Sequence, residues 1–308
     1  MNKLRILPAV LTLIFFIGCS KDDSVQTQER ETAQAKEASL KSAGASATDL
    51  LSNDNFTKLL IEIAYVDGFK PTEEAMEGFV SYLKQRTFKE DIELKYTKLE
   101  SPDEENLTLE EIAKLESENR TVYNEGSTLG LYIYFADAPA EGDDDEEGLV
   151  TLGAVYRNTS MILHEVTIRK LADRSFFITD ADVENSTLNH EFGHLFGLVN
   201  LGTQPVNDHE DIERDEDGKP VLDEEGNTKG NNHCSVEGCL MRAELQFGGF
   251  SGKSAKSATD NGTITAACRL SGKDVLRMLE AKTSKGILPE PPSLDAECLL
   301  DLRSIGGR

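Results

Sequence analysis

The order of apolar patterns along the chain predicts an α/β fold built on a mostly parallel, twisted sheet. Two observations carry this expectation. Runs with strand character alternate with runs of helical spacing from about residue 58 onward, and such alternation implies crossover helices between parallel strands. The stretch Lys58 to Val66, KLLIEIAYV, then begins the series as a buried-type strand.

Each later element has its own signal. Asp67-Gly68 marks a turn, and Pro71-Thr72 opens a helix that carries Met76, Phe79, Val80 and Leu83 on one face. Asp91 to Leu99 alternates as a strand. Thr108 and Glu111 form a capping-box pattern ahead of Ile112 and Leu115. A third strand centres on Leu131 to Phe135, and an acidic run, Asp143 to Glu147, reads as a solvated loop. Leu149 to Ile168 supplies further strand material, as one long strand or two. A helix follows, with Asn185 or Ser186 as its expected N-cap. The chain then becomes loop-rich, and a last helix is expected from near Ser293 to just before Gly306-Gly307.

The 308 residues carry a formal charge of −24, which argues against a nucleic-acid partner, because phosphates attract basic surfaces. Lys3 and Arg5 precede an apolar run, Ile6 to Gly18, that is too short to span a bilayer and reads as a signal peptide over residues 1–18. The run ends in Phe16-Ile17-Gly18-Cys19, which resembles a bacterial lipobox, and Lys21-Asp22-Asp23 resembles the export signal of Bacteroidota lipoproteins. These resemblances imply acylation at Cys19 and a protein tethered by lipid alone to the outer membrane, at the cell surface. Loss of the peptide removes Lys3 and Arg5 and takes the charge from −24 to −26. Residues 19–54, poor in large apolar groups, are expected to be a flexible tether, with one folded domain over 55–308. Within it, the expected subdomains meet near residues 197 and 198.

The chemistry concentrates in HEFGHLFGLVN, His190 to Asn200. Histidines four apart lie on one helical face and can share a zinc ion, while Glu191 points toward the same cleft as a general base. Gly197 suits the end of that helix. These residues resemble the metzincin zinc-peptidase signature His-Glu-x-x-His-x-x-Gly-x-x-His. HCSVEGCLM, His233 to Met241, is similar to the archaemetzincin segment that joins the third histidine to Cys-x4-Cys-x-Met. The resemblance implies a metzincin-like fold with an antiparallel edge strand, within Leu152 to Ile168, that pairs with an extended peptide or protein substrate. It further implies one catalytic Zn²⁺, a loop-rich C-terminal subdomain and Met241 as the Met-turn residue beneath the metal.

Two departures leave questions open. Asn200 occupies the usual place of the third ligand, and an acidic insertion over about 203–231 separates it from His233. Three residues compete for the ligand role. His233 keeps the eight-residue step to Met241, His209 could fold back, and Asn200 is a poor zinc donor. The second Cys-x-x-Cys of archaemetzincins is absent, leaving Cys234, Cys239, Cys268 and Cys298. In an exported chain these suggest two disulfides, with a structural zinc as the alternative. Glu213, Asp215, Asp217, Gly218 and Glu224 echo an EF-hand loop for Ca²⁺, although an exposed acidic hairpin is the plainer reading. His164 lies in strand material and reads as a side chain on the sheet. The expected protein is a monomeric zinc metallopeptidase. The competing expectation is a catalytically silent surface lipoprotein that keeps the fold as a binding module.

Overall fold

The computed structural model describes residues 22–143, 149–176, 178–215, 218–223, 225–242, 267–271 and 292–308. Its described elements run in the order α1 (Asp22–Ala38), α2 (Ala47–Leu51), β1 (Lys58–Val66), α3 (Glu73–Arg86), β2 (Asp91–Leu99), α4 (Leu109–Asn119), β3 (Thr128–Phe135), β4 (Leu149–Arg157), β5 (Ser160–Leu163), α5 (Glu165–Ala172), α6 (Asp180–Leu195), β6 (Glu210–Ile212), β7 (Gly230–Cys234), β8 (Ala267–Ser271) and α7 (Ala296–Ser304). The fold is α/β. Six strands form one sheet in the order β2-β1-β3-β5-β4-β8. The first four are mutually parallel, β4 is antiparallel to β5, and β8 is antiparallel to β4. Strand β1 lies inside the sheet, between β2 and β3, where its run of apolar residues suits burial on both faces, with Ile61, Ile63 and Ala64 fully buried.

One core fills the face between the sheet and helices α3 and α6, and a smaller one lies on the opposite face around Ile112, Tyr132, Tyr134 and Tyr156. The capping box at Thr108 and Glu111 forms as the pattern predicts. Helix α6 is longer than expected. It begins at Asp180 under a capping box between Thr179 and Asp182, whereas Ser186 and Asn185 lie within the helix. The S/T-x-x-D spacing at Thr179 outcompetes the later polar residues because it satisfies two backbone donors at once. Phe192 of α6 and Phe196, its C-cap, face the core, with the Phe192 ring 5.0 Å from that of Phe79. This leaves the adjoining face to His190 and His194.

Three expectations are corrected here. The residues taken as a tether are in part folded. Leu50 and Leu51 are fully buried, and Lys89 Nζ donates to the carbonyls of Asp49, Ser52 and Phe56. Asn158 Nδ2 donates to Ala38 O at 2.9 Å and to Ser46 Oγ at 2.7 Å. The composition of the segment is dilute in apolar groups, but a single Leu-Leu pair suffices to dock α2. The strand material after Leu149 forms two strands, one of the two expected outcomes, but it ends at Leu163, and Ile168 belongs to α5. The outer edge of β4, expected to be open to an extended substrate, is paired with β8 from Leu149↔Ser271 to Ala154↔Ala267.

Candidate metal centres

Helix α6 sets His190 and His194 one turn apart, and β7 delivers His233 to the same point. Ligand atoms of the three histidines lie within 4.8 Å of one another, and all three residues are buried. Backbone carbonyls orient two of the rings. His190 Nδ1 lies 2.7 Å from Leu240 O, and His233 Nδ1 lies 2.8 Å from Asn231 O. A carbonyl only accepts, so each Nδ1 carries the proton and each Nε2 keeps its lone pair. Burial is the main cause that lowers the pKa of each histidine. His233 falls to about 3, and His194 is lowered further by its two histidine neighbours. The cluster is therefore neutral at physiological pH. Neutral imidazoles gathered in a buried site are the donor set that Zn²⁺ takes.

The rest of the histidine centre rests on two glycines. A Cβ on Gly153 of β4 would lie 2.9 Å from Glu191 Cγ, 3.0 Å from Thr187 Cγ2 and 3.1 Å from Ile162 O. Glu191 is buried directly beneath that strand. A Cβ on Gly193 would lie 2.1 Å from Met241 Sδ, so the glycine between the two histidines makes room for the methionine sulfur. Met241 is fully buried against α6.

A second cluster gathers next to the first. Cys234, Cys239, Cys298 and Asp295 also bring ligand atoms within 4.8 Å of one another. Cys239 Sγ lies 3.6 Å from Cys298 Sγ, and Cys234 Sγ donates to Asp295 Oδ2 at 3.1 Å. Val236 N donates to Cys234 Sγ, and Met241 N donates to Cys239 Sγ, each at 3.4 Å. Two backbone donors aimed at sulfur stabilise thiolate character. The three sulfurs hold their protons unevenly, which lowers the Cys239 thiol well below its ordinary range and raises those of Cys234 and Cys298. Asp295 Oδ1 also caps α7 by accepting from Cys298 N at 2.7 Å.

This arrangement differs from the expected disulfides. Cys234, Cys239 and Cys298 are free thiols, and their three sulfurs converge with one carboxylate. Asp295-Ala296-Glu297-Cys298 keeps the Cys-x-x-Cys spacing with aspartate at the first position, a substitution that hides the pattern in the sequence. Cys19 and the side chain of Cys268 lie outside the described residues.

The competing residues separate cleanly in space. Asn200 is left-handed, with φ 61°, and its Nδ2 donates to Glu210 Oε2 at 3.0 Å at the start of β6. Glu210 in turn accepts from Asn232 N at 2.6 Å. Asn200 thus braces the base of the insertion. His209 lies by the cysteines, with Nε2 3.5 Å from Cys298 Sγ. His164 sits one residue beyond β5, buried, with Nδ1 2.9 Å from Ala138 O.

Strands β6 and β7 form the antiparallel stem of the insertion. Beyond it, Arg214 pairs with Pro220 and Leu222 with Thr228, around left-handed turns at Gly218 and Gly226. Asp215 Oδ1 accepts from Lys219 N at 2.8 Å, and Asp223 Oδ1 accepts from Asn227 N at 2.7 Å, so both carboxylates serve turns. Asp217 and Glu224 lie outside the described residues. Among those residues, no helix is long and apolar enough to cross a membrane.

No protein-family model matches the chain, and no curated protein matches it. Among solved structures, the crystal structure of archaemetzincin from Methanopyrus kandleri is similar. It shares 14% identity and a TM-score of 0.43, and the match covers 82% of this chain and 96% of that chain.

Proposed function

We propose that the chain is a zinc-dependent metallopeptidase, with His190, His194 and His233 as the ligands of the catalytic ion. The observation that carries this reading is the buried convergence of three neutral histidines beside a buried glutamate. When bound there, Zn²⁺ supplies Lewis-acid activation of water and of a peptide carbonyl. Glu191 takes the proton of the attacking water as its oxygen bonds to the carbonyl carbon. It then gives that proton to the leaving amide nitrogen as the C–N bond breaks, so the products are a carboxylic acid and an amine. Met241 forms the floor and holds the α6 glycine face at a fixed distance. The substrate class is a peptide or protein, and the chain acts at the cell surface, held by lipid on Cys19.

We further infer that Cys234, Cys239, Cys298 and Asp295 hold a second, structural zinc. The converging thiols and the backbone donors to two of the sulfurs support it. Soft thiolates favour zinc over the hard cations magnesium and calcium.

The test compares wild type with Glu191→Gln on a peptide library, with zinc measured in both. Wild type should bind two zinc ions per chain and cleave peptides, and the variant should keep the metal and lose at least 100-fold in kcat. A wild-type protein that holds zinc at the histidines but cleaves nothing would instead identify a silent binding module.

A further inference from the structure

We infer that β8 keeps the proposed peptidase latent: it occupies the outer backbone edge of β4, above Glu191, where an extended peptide substrate would pair. The inference rests on the peptidase reading and adds a means of regulation to it.

The place of the base decides which edge matters. Glu191 lies beneath Gly153 of β4, where a Cβ would be 2.9 Å from Glu191 Cγ. On its inner side β4 pairs with β5, Gly153↔Leu163 included, so that side is closed to a peptide. A free outer edge would present backbone donors and acceptors, and such an edge binds an extended peptide as an added strand. Strand β8 takes this place. It runs antiparallel to β4 through Leu149↔Ser271, Val150↔Leu270, Thr151↔Arg269 and Ala154↔Ala267. The chain thus lays its own extended segment along the strand that covers the base.

The pairing is interrupted over the base. Between Thr151↔Arg269 and Ala154↔Ala267 the register shifts, so Leu152 and Gly153 of β4 stand opposite Cys268 alone. Two residues against one is a β-bulge, which breaks the ladder locally. Strand β8 has 5 residues and stands last in the sheet order, with β4 as its one neighbour among the described strands. Strand β1, by contrast, pairs with β2 without a break from Lys58 to Val66, and with β3 on its other side. A short, one-sided and interrupted strand opens at a lower free-energy cost than the strands inside the sheet. Because β8 belongs to the same chain, it returns to the edge at an effective concentration on the order of millimolar. A peptide then binds in competition with it. The apparent KM is the intrinsic value divided by the fraction of chains with the edge open, while kcat is unaffected, since β8 has left the edge in the complex that reacts.

The test uses the full chain with Arg269→Pro/Leu270→Pro. Of two neighbouring residues in an edge strand, one directs its N–H at the partner, so one of the two prolines removes a ladder bond. A synthetic fragment, residues 264–273 with Cys268→Ser to keep a thiol away from the metals, serves as the competing peptide. The proline variant should keep wild-type zinc and cleave a library peptide with KM lowered at least about tenfold and kcat within about threefold. The fragment should inhibit that variant competitively. On a Glu191→Gln background it should bind the proline variant at least about tenfold tighter than the chain with β8 unchanged. Equal KM and equal fragment binding with and without the prolines would overturn the proposal. If the proline variant does not fold, Arg269→Gly/Leu270→Gly decides, because it weakens the strand and keeps its donors; an unchanged KM there overturns the proposal too. Fragment binding that the prolines strengthen, with no cleavage by either chain, would sink the peptidase reading and leave the exchange of strands at β4 standing.

Discussion

Gly153→Ala should disable the proposed base without touching the metal. The backbone of Gly153 is not left-handed, so alanine is tolerated on that ground and only the side-chain space decides. The new methyl carbon would lie 2.9 Å from Glu191 Cγ, 3.0 Å from Thr187 Cγ2 and 3.1 Å from Ile162 O. Non-bonded carbons settle at about 3.5–4.0 Å, so the contact with Glu191 is short by about 1 Å. The Ile162 carbonyl belongs to the neighbouring strand and cannot move, and Thr187 is fixed by its hydrogen bond to Val183 O at 2.8 Å. The glutamate therefore yields. A misplacement of about 1 Å costs on the order of 100-fold in rate. The assay is kcat and KM on a cleaved peptide, with zinc content measured on the same sample. The expected result is a kcat lower by about 100-fold, KM within about threefold and unchanged zinc. A variant with wild-type kcat and wild-type zinc would refute the reasoning, because a base displaced by that much cannot act unimpaired.

Further predictions concern the metals and the buried charges. Cys239→Ser should release the cysteine-site ion and also weaken the histidine site at least tenfold by metal titration; unchanged histidine-site affinity would refute the coupling. Glu184→Gln should stabilise the fold by roughly 1–3 kcal/mol at pH 7 in chemical denaturation. Burial, with Glu184 next, raises Glu165 to about 9, so its contribution is present at low pH and is lost as pH rises toward that value. The gain from glutamine should accordingly grow between about pH 5 and pH 9, and a flat difference would refute a contribution of Glu184 to that shift. His164→Asn should flatten the acid limb of stability. Burial lowers His164 to about 4, so its contribution is complete above about pH 6.5 and drains away as pH falls toward 4, by on the order of 3 kcal/mol.

What was legible in the sequence was the part written by period and by spacing. The apolar run of β1, the Thr108 to Glu111 box and the paired histidines of α6 all declare themselves within a dozen residues. The alternation of strand and helix implied the parallel sheet that is observed. What stayed hidden depends on partners distant in sequence. Nothing local to Leu50 and Leu51 says that they dock on a core, and nothing in Ala267 to Ser271 says that it pairs with β4. Asp295 reads as a helix cap, which it is, and only the fold brings its second oxygen to Cys234. Asn200 looked like a failed ligand. Its left-handed backbone and its bond to Glu210 give it a different task, that of turning the chain into the insertion.

The two clusters share one short loop, and this sharing explains how the histidine cluster stays intact across the long segment between His194 and His233. His233 is followed directly by Cys234, whose N donates to Met241 O at 2.8 Å. Leu240 supplies the carbonyl that orients His190, and Met241 N donates to Cys239 Sγ. Every group that the loop gives to the histidine centre is thus within two residues of a cysteine. A loop closed by a metal loses its conformational freedom once, and both sites then benefit from the same ordering. The segment between Glu210 and Cys234 is closed by an antiparallel stem, β6 on β7, so its length does not loosen its end. The position of His233 is therefore set from its C-terminal side, by the cysteines and Met241, rather than by the distance along the chain from His194.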